Sequence, residues 1–201
     1  MEHGLEQQET WHQFAILIAA NEALQFWKPG NISKSPTVFD FVDQFSRRTD
    51  LADSIMTLIA ISPLAAPVMS GNPGLSFIHL GRLRLQECDR VYALYRELGK
   101  CGVVIRMEDE ETLNVRFSKL SQLHGAEIET YNDHRMAMCF AILGLKVPGI
   151  RLKNPSCVKK TFPNFFQKLV AAPPHGLGVE IWEVKDGKRT RKLEGKDLFA
   201  D

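Results

Sequence analysis

Apolar residues along the chain recur at helical spacing in some stretches and alternate with polar residues in others. Helical spacing, bounded by capping or breaking residues, predicts helices at 11–27, 35–48, 53–62, 86–102, 129–145 and 161–170. We expect Asp53 to cap the third of these helices and Pro163 to lie in the first turn of the last. The remaining pattern predicts a strand at 74–85, two short strands around an acidic turn within 102–117, and a strand at 149–154.

The order helix, strand, helix, strand, strand recurs along the chain at a spacing of roughly sixty residues. Such a recurrence predicts an α/β (α+β) fold in which repeated units pack helices against sheets. After Ala171 the pattern changes to a hinge and a hairpin with Asp186 and Gly187 at its turn. We therefore predict one domain at 1–170 and a peripheral tail at 171–201.

Composition and charge favour a globular protein over one that binds nucleic acids or membranes. With 201 residues, 44 % of them hydrophobic, the chain is long enough to bury a substantial core. A formal charge of +1 gives no reason to expect a nucleic-acid-binding or membrane-binding surface, so a bound anion is expected in a local pocket. The four cysteines lie far apart without metal-ligand spacing, and the first residues lack the pattern of a targeting signal. We expect reduced thiols, no metal, no cofactor and a cytoplasmic location.

Residues 54–81 contain no formally charged side chain, which is a length that would suit a membrane span. Pro63, Pro67 and Pro73, together with two glycines, divide this stretch into shorter segments. A buried helix, a turn and a buried strand therefore explain it better than a membrane helix does.

Charged residues gather at the predicted helix starts. A helix N-terminus presents unpaired N–H groups and the positive end of the helix dipole, so cations added there form anion sites without a metal. Phosphate or carboxylate is the natural ligand of such a site. The residues concerned are Asp53, Glu87, Arg90, Asp133, His134, Arg135, Lys159 and Lys160.

Three segments carry a resemblance to a known family. "LQECDRVYALYRELGKCG", "ETYNDHRMAMCFAILGL" and "NPSCVKKTFPNFF" resemble, in this order and at this separation, the C-terminal half of 5-enolpyruvylshikimate-3-phosphate (EPSP) synthase. The resemblance extends from about Asp53 to Leu169 and is weak before that. It implies a domain of βαβαββ-type units, an inside-out α/β prism with helices buried inside sheet walls, and so accounts for helices that are apolar on every side.

The reaction implied by this resemblance transfers the enolpyruvyl group of phosphoenolpyruvate to the 5-hydroxyl of shikimate 3-phosphate and releases phosphate, through a tetrahedral intermediate. It requires a base, an acid, and cations that hold carboxylate and phosphate groups. By similarity, Asp53 orients or deprotonates the hydroxyl and Glu87 protonates the methylene carbon. Lys160 is implied to contact phosphoenolpyruvate and to shuttle a proton; because Lys159 adjoins it, one of the two lysines must face away.

By the same similarity, Arg90 and Arg135 hold the anionic groups of phosphoenolpyruvate, His134 lines the pocket and Asp133 orients its neighbours. Simpler explanations stay open. Glu87 and Arg90, three residues apart, also suit a surface ion pair worth about 0.3–0.5 kcal/mol, and a histidine such as His134 often has only a structural role. Arg135 is harder to explain without a ligand, because an arginine at a helix start opposes the dipole.

The chain also departs from the family pattern. Gln86 stands where the family has a lysine and Arg82 stands where it has an asparagine, and both positions belong to the shikimate 3-phosphate side. Nothing in the chain resembles the family's N-terminal domain, which supplies a lysine-serine-arginine group and a glycine-rich loop with an arginine. The resemblance therefore implies half a site, with its phosphoenolpyruvate side present and its shikimate 3-phosphate side changed.

Four functions fit these observations. The favoured one is the C-terminal half of a 3-phosphoshikimate 1-carboxyvinyltransferase that is inactive until a separate N-terminal domain joins it. The second is a non-catalytic remnant or interaction protein that keeps the fold and an anion site. A relative of UDP-N-acetylglucosamine enolpyruvyl transferase and a protein that only binds a small molecule are the third and fourth.

Overall fold

The computed structural model describes residues 44–65 and 74–198 of the chain. The helix predicted at 11–27 and the first part of the helix predicted at 35–48 lie outside the described residues. The α-helices in the described part are α1 (Ile55–Ile61), α2 (Arg90–Lys100), α3 (His134–Gly144) and α4 (Phe165–Val170). Its strands are β1 (Gln44–Ser46), β2 (Gly74–Ile78), β3 (Ile105–Met107), β4 (Leu113–Arg116), β5 (Glu127–Ile128), β6 (Arg151–Leu152), β7 (Trp182–Lys185) and β8 (Lys188–Lys192).

The first half of the described chain forms one βαβαββ unit, as the family resemblance implies. Its sheet has the strand order β1-β2-β4-β3. β1 runs parallel to β2, with Ser46 opposite Ile78, because α1 lies between them in the chain and returns it to the same end of the sheet. β4 pairs antiparallel with both β2 and β3, and β3 and β4 are the two short strands predicted around the acidic turn.

A second set of elements follows in the same order. β5 precedes α3 and β6 follows it in the chain, and the two strands pair in parallel. α4 comes next, and β7 and β8 then form an antiparallel hairpin. Asp186 and Gly187 both have positive φ, at 49° and 74°, as a type I′ hairpin turn requires, so the predicted hairpin is confirmed. Within the described residues this hairpin forms a sheet of its own.

The helices predicted to be apolar on all sides lie in the core. α1 packs against α3, and most residues of both helices are buried. Phe77 of β2 and Phe140 of α3 are among the largest fully buried side chains. A smaller apolar cluster joins α3 and α4 to Leu198, a residue of the predicted tail that is buried there. The assignment of 171–201 to a separate tail stays a prediction.

Three predicted elements are wrong in part. Residues 44–46 form a strand rather than the end of a helix, because their backbone groups pair with β2. The strand predicted at 74–85 ends at Ile78, where His79 takes a φ of 59°, and a 3-10 helix at Gly81–Leu85 follows. α4 begins only at Phe165, so Pro163 precedes the helix instead of lying in its first turn.

The interpretation of Asp53 as a helix cap is also wrong. Asp53 lies in a 3-10 turn at Ala52–Ser54, and no side chain caps α1, which follows this turn directly. The Asp53 carboxylate instead contacts Arg47 and Gln86. In the described part of the chain, no helix is long and apolar enough to cross a membrane.

Candidate functional site

Arg90 lies at the centre of the charged cluster that the fold assembles. It is the first residue of α2, it is buried, and each nitrogen of its guanidinium group has a protein partner. Nε is 2.6 Å from Asp133 Oδ2, Nη2 is 3.2 Å from Asp133 Oδ1 and 3.1 Å from Glu87 Oε2, and Nη1 donates to Gln86 Oε1. Arg90 therefore ties the start of α2 to the start of α3.

Asp133 is the N-cap of α3 and is fully buried. Its carboxylate accepts from the Arg135 backbone N–H at 2.8 Å as well as from Arg90. Burial alone would raise the pKa of Asp133, but the hydrogen bonds and charge of Arg90 outweigh it and hold the pKa below its ordinary value. Asp133 is thus a buried anion that orients its neighbours, and none of its contacts requires a ligand.

The turn before α3 is fixed by a buried carboxylate on α2. Tyr131 and Asn132 both adopt a φ of 55°, which directs the chain sharply into the helix. Glu97 accepts from the Tyr131 hydroxyl at 2.9 Å and from the Glu129 backbone N–H at 3.0 Å. α2 therefore holds the start of α3 at two points, through Arg90 and through Glu97.

Glu87 joins three other members of the cluster. It lies in the bend before α2, where Lys160 donates to its Oε1 and Arg90 to its Oε2. His134 Nδ1 is 3.0 Å from Glu87 Oε2, but the two atoms are not aligned for a hydrogen bond. Burial lowers the pKa of His134 despite the nearby carboxylates of Glu87 and Asp133, so its imidazole is neutral at neutral pH.

Asp53 lies beside this group and contacts an arginine that the sequence did not single out. Arg47 donates to Asp53 Oδ1 from Nε at 3.1 Å and from Nη2 at 2.6 Å, and Gln86 Nε2 donates to Oδ2 at 3.0 Å. Burial would raise the pKa of Asp53, but the bonds from Gln86 and Arg47 and the charge of Arg135 lower it. Asp53 is therefore a stabilised carboxylate.

Two cations of the cluster remain open to solvent. The side chain of Arg135 is 34 % exposed, and among the described residues its ion pairing is limited to a 4.0 Å contact with Asp53. Lys160 is 62 % exposed and pairs with Glu87. It ends a 3-10 helix at Pro155–Lys160 rather than lying at the start of an α-helix, so the prediction that Lys159 and Lys160 mark a helix start is wrong.

The structure brings together most of the predicted site residues. Asp53, Glu87, Arg90, His134, Arg135, Lys160 and Gln86 form one connected cluster through the contacts given above. Arg82 is exposed on the 3-10 helix that precedes Gln86, and no bond joins it to the cluster in the part of the chain that the structure describes. Arg47 is the member that sequence reasoning missed.

Charge balance separates this cluster from a metal centre. Glu87, Asp133 and His134 bring potential ligand atoms within 4.8 Å of one another. Arg90 pairs with both carboxylates and Lys160 pairs with Glu87, so two cations already balance the two carboxylates. Counting Arg47, Arg90, Arg135 and Lys160 against Asp53, Glu87 and Asp133, the cluster has a net charge of +1. Because the charged side chains of the cluster with the largest exposed fractions are two cations, Arg135 at 34 % and Lys160 at 62 %, the cluster suits an anion better than a metal ion.

A family model and individual relatives both match this chain to the same family of proteins. A family model described as EPSP synthase (3-phosphoshikimate 1-carboxyvinyltransferase) matches residues 48–169. A 3-phosphoshikimate 1-carboxyvinyltransferase from Nostoc punctiforme is 42% identical over 120 residues, which cover 59% of this chain and 26% of the relative. One from Pseudomonas syringae pv. tomato is 32% identical over 144 residues, or 70% of this chain and 33% of the relative.

Solved structures include a similar chain, an EPSP synthase from Acinetobacter baumannii. It aligns with a TM-score of 0.48 and 24% identity over 57% of this chain and 26% of its own length. The chain spans about a quarter to a third of the length of the two 3-phosphoshikimate 1-carboxyvinyltransferases described above.

Proposed function

We propose that this chain, which belongs to the EPSP synthase family, provides the C-terminal half of an enolpyruvyl-transfer site. The ligands of that site are phosphoenolpyruvate and shikimate 3-phosphate. One observation supports this most strongly. Arg135 and Lys160 are cations open to solvent at the edge of the cluster: Arg135 has only a 4.0 Å contact with Asp53 among the described residues, and Lys160, which pairs with Glu87, is 62 % exposed. Such an arrangement can accept the carboxylate and phosphate groups of phosphoenolpyruvate without first breaking an interior ion pair.

In this proposal Arg90 acts mainly through the protein. Each of its nitrogens is bonded to Gln86, Glu87 or Asp133, so direct contact with phosphoenolpyruvate requires it to exchange a protein partner for the ligand. Its removal would leave Asp133 buried without a counter-charge. We assign to Arg90 the placement of Glu87 and Asp133, and to Arg135 and Lys160 the first contact with the ligand.

Asp53 is proposed to orient the reacting hydroxyl of shikimate 3-phosphate. A general base works best when its pKa lies near the working pH, whereas the contacts of Asp53 lower its pKa below the ordinary range. The carboxylate can still accept a hydrogen bond from the hydroxyl and stabilise charge that develops there. This favours orientation over deprotonation, the two roles that the resemblance implies.

Proton delivery to the methylene carbon is proposed for Glu87 together with Lys160. Lys160 donates a hydrogen bond to Glu87 Oε1, so a proton can move from the lysine to the carboxylate and from there to carbon. His134 lies beside Glu87 as a neutral imidazole and closes that wall of the pocket.

The proposal also includes a partner and a location. Because the chain covers about a quarter of some relatives, an N-terminal EPSP synthase domain is needed to supply the other wall of the cleft. Without that wall the charges face water, where their interactions are weak, so the chain alone is expected to be inactive. The expected location of the protein is the cytoplasm.

Binding of phosphoenolpyruvate to the chain alone tests this proposal. We expect weak binding with Kd in the millimolar range, about −4 kcal/mol, because half of the site is absent. Amide chemical shifts should change near Glu87, Asp133 and Lys160 as phosphoenolpyruvate is added. Arg135→Ala should abolish these changes, since it removes an exposed cation.

Arg84→Ala is the matched control, because Arg84 is a partly exposed arginine that pairs with Asp89 outside the cluster. It should leave the titration unchanged. Shifts confined to residues 171–198, or shifts that persist in full in Arg135→Ala, would contradict the proposed site.

A further inference from the structure

Arg47 forms a largely buried ion pair with Asp53, a carboxylate of the proposed site. Its side chain is only 13 % exposed, and two of its nitrogens bond the same carboxylate oxygen, Asp53 Oδ1. A charged pair in which both members are largely withdrawn from water holds its geometry better than a surface pair does.

The backbone around Arg47 is fixed as well. Ser46 Oγ accepts from the backbone N–H groups of Arg48 and Thr49 at 3.1 and 3.4 Å, and Asp50 Oδ2 accepts from the Ser46 N–H at 2.7 Å. These bonds close a π-helical turn at Arg47–Leu51, a form of backbone often found at functional sites. Ala52 then adopts a φ of 46°, a strained conformation for a residue with a side chain.

The contacts of Asp53 leave room for one more hydrogen bond. Arg47 occupies Oδ1 with two donors, and Gln86 occupies one acceptor position of Oδ2. The other charged groups facing Asp53 are Arg90, at 3.8 Å, and Arg135, at 4.0 Å. The remaining acceptor position of Oδ2 can therefore receive a hydroxyl hydrogen from a ligand.

We propose that Arg47 is a positioning residue for the hydroxyl-bearing substrate: it orients Asp53 and supplies the positive charge on this side of the site, where Gln86 supplies none. The inference rests on the proposed function for the identity of the ligand, a phosphorylated polyol. Its structural part, the control of Asp53 by Arg47, is independent of that function.

A simpler role for Arg47 makes different predictions. If the ion pair only closed the turn between residues 47 and 53, its loss would weaken folding and every ligand equally. If Arg47 positions the ligand through Asp53, its loss weakens the hydroxyl-bearing ligand and leaves phosphoenolpyruvate at Arg135 and Lys160 unaffected.

The first test follows the Asp53 carboxyl carbon by NMR across acidic pH in the full chain, with Asp53→Asn used to assign the signal. Arg47→Gln should raise the Asp53 midpoint by about one pH unit or more, because the carboxylate loses its nearest cation. Arg47→Lys should restore the midpoint in part. Arg84→Gln, which removes the cation from the Asp89 pair, should leave the Asp53 midpoint unchanged. A midpoint in Arg47→Gln equal to that of the unmodified chain overturns the proposal.

The second test compares two probes, shikimate 3-phosphate and phosphoenolpyruvate, by the amide shifts of folded Arg47→Gln and of the unmodified chain. We expect Arg47→Gln to weaken shikimate 3-phosphate about tenfold and to keep the phosphoenolpyruvate Kd within about twofold, since one charge-assisted hydrogen-bond network is lost. If Arg47→Gln weakens the binding of both probes equally, the proposal is overturned, and the ion pair only closes the turn between residues 47 and 53. If the unmodified chain binds neither probe, the proposed function and the ligand part of this inference both fail, and the Asp53 titration still decides whether Arg47 controls Asp53.

Discussion

Asp133 and Asp89 are both N-caps of helices and both pair with an arginine, yet they lie in different surroundings. Asp133 is fully buried against Arg90, whereas the side chain of Asp89 is 41 % exposed and pairs with Arg84 at the surface. Because asparagine caps a helix about as well as aspartate, an Asp-to-Asn change at each position removes the charge and keeps a capping group.

We predict that Asp133→Asn lowers the free energy of unfolding by about 3–5 kcal/mol, because Arg90 becomes a buried cation without its main partner. Asp89→Asn should cost less than about 1 kcal/mol, since water solvates Arg84. Urea unfolding of both variants at neutral pH measures the difference. Equal losses in the two variants would show that the Arg90–Asp133 pair does not depend on burial.

At the residue scale, sequence reasoning identified the residues of the cluster better than their contacts. The sequence points to six residues of the cluster, and these lie together in the structure: Asp53, Glu87, Arg90, His134, Arg135 and Lys160. Arg47 was missed because it falls in a stretch whose spacing predicts a helix, and nothing local indicates that a π-helical turn aims it at Asp53. Such a contact depends on the tertiary fold.

At the scale of elements, the helices with clear signals were predicted well. α2 and α3 each begin after an aspartate cap, and the apolar faces of both are buried. The short strands were harder, because β1 has only three residues and takes its form from pairing with β2. Pairing partners distant in sequence, rather than local preference, decide such elements.

The parallel pairing of β5 with β6 depends on a close approach of two glycines. A side-chain carbon added at Gly125 would lie 2.1 Å from the backbone carbon of Gly149, so no side chain fits there. We predict that Gly125→Ala destabilises the fold by about 1–3 kcal/mol or more, because the two strands must separate.

Gly99 provides the opposite case for the same substitution. It lies in α2, and an added carbon would meet nothing within 4 Å. Gly99→Ala should therefore stabilise the protein by about 0.5–1 kcal/mol, because glycine is unfavourable within a helix. Thermal unfolding of the two variants tests both effects, and a stable Gly125→Ala protein would refute the close approach at the second sheet.

At the scale of the whole molecule, we propose that the cluster is one half of a larger site. The described cluster presents Arg135 and Lys160 to solvent, and the relatives that the chain matches are three to four times as long as the matched segment. Assembly with a second domain would exclude water and place further cations opposite these two, which is how a weak anion site becomes an efficient one.

The most direct test of the account measures phosphate release from phosphoenolpyruvate and shikimate 3-phosphate by the chain, by an EPSP synthase N-terminal domain, and by the two mixed. We predict that neither part alone is active and that the mixture is. Arg135→Ala should slow the mixture about thirtyfold or more, which corresponds to a loss of roughly 2 kcal/mol or more for a buried charged contact. Phosphate release by the chain alone, or a complex whose rate is unchanged by Arg135→Ala, would contradict the account.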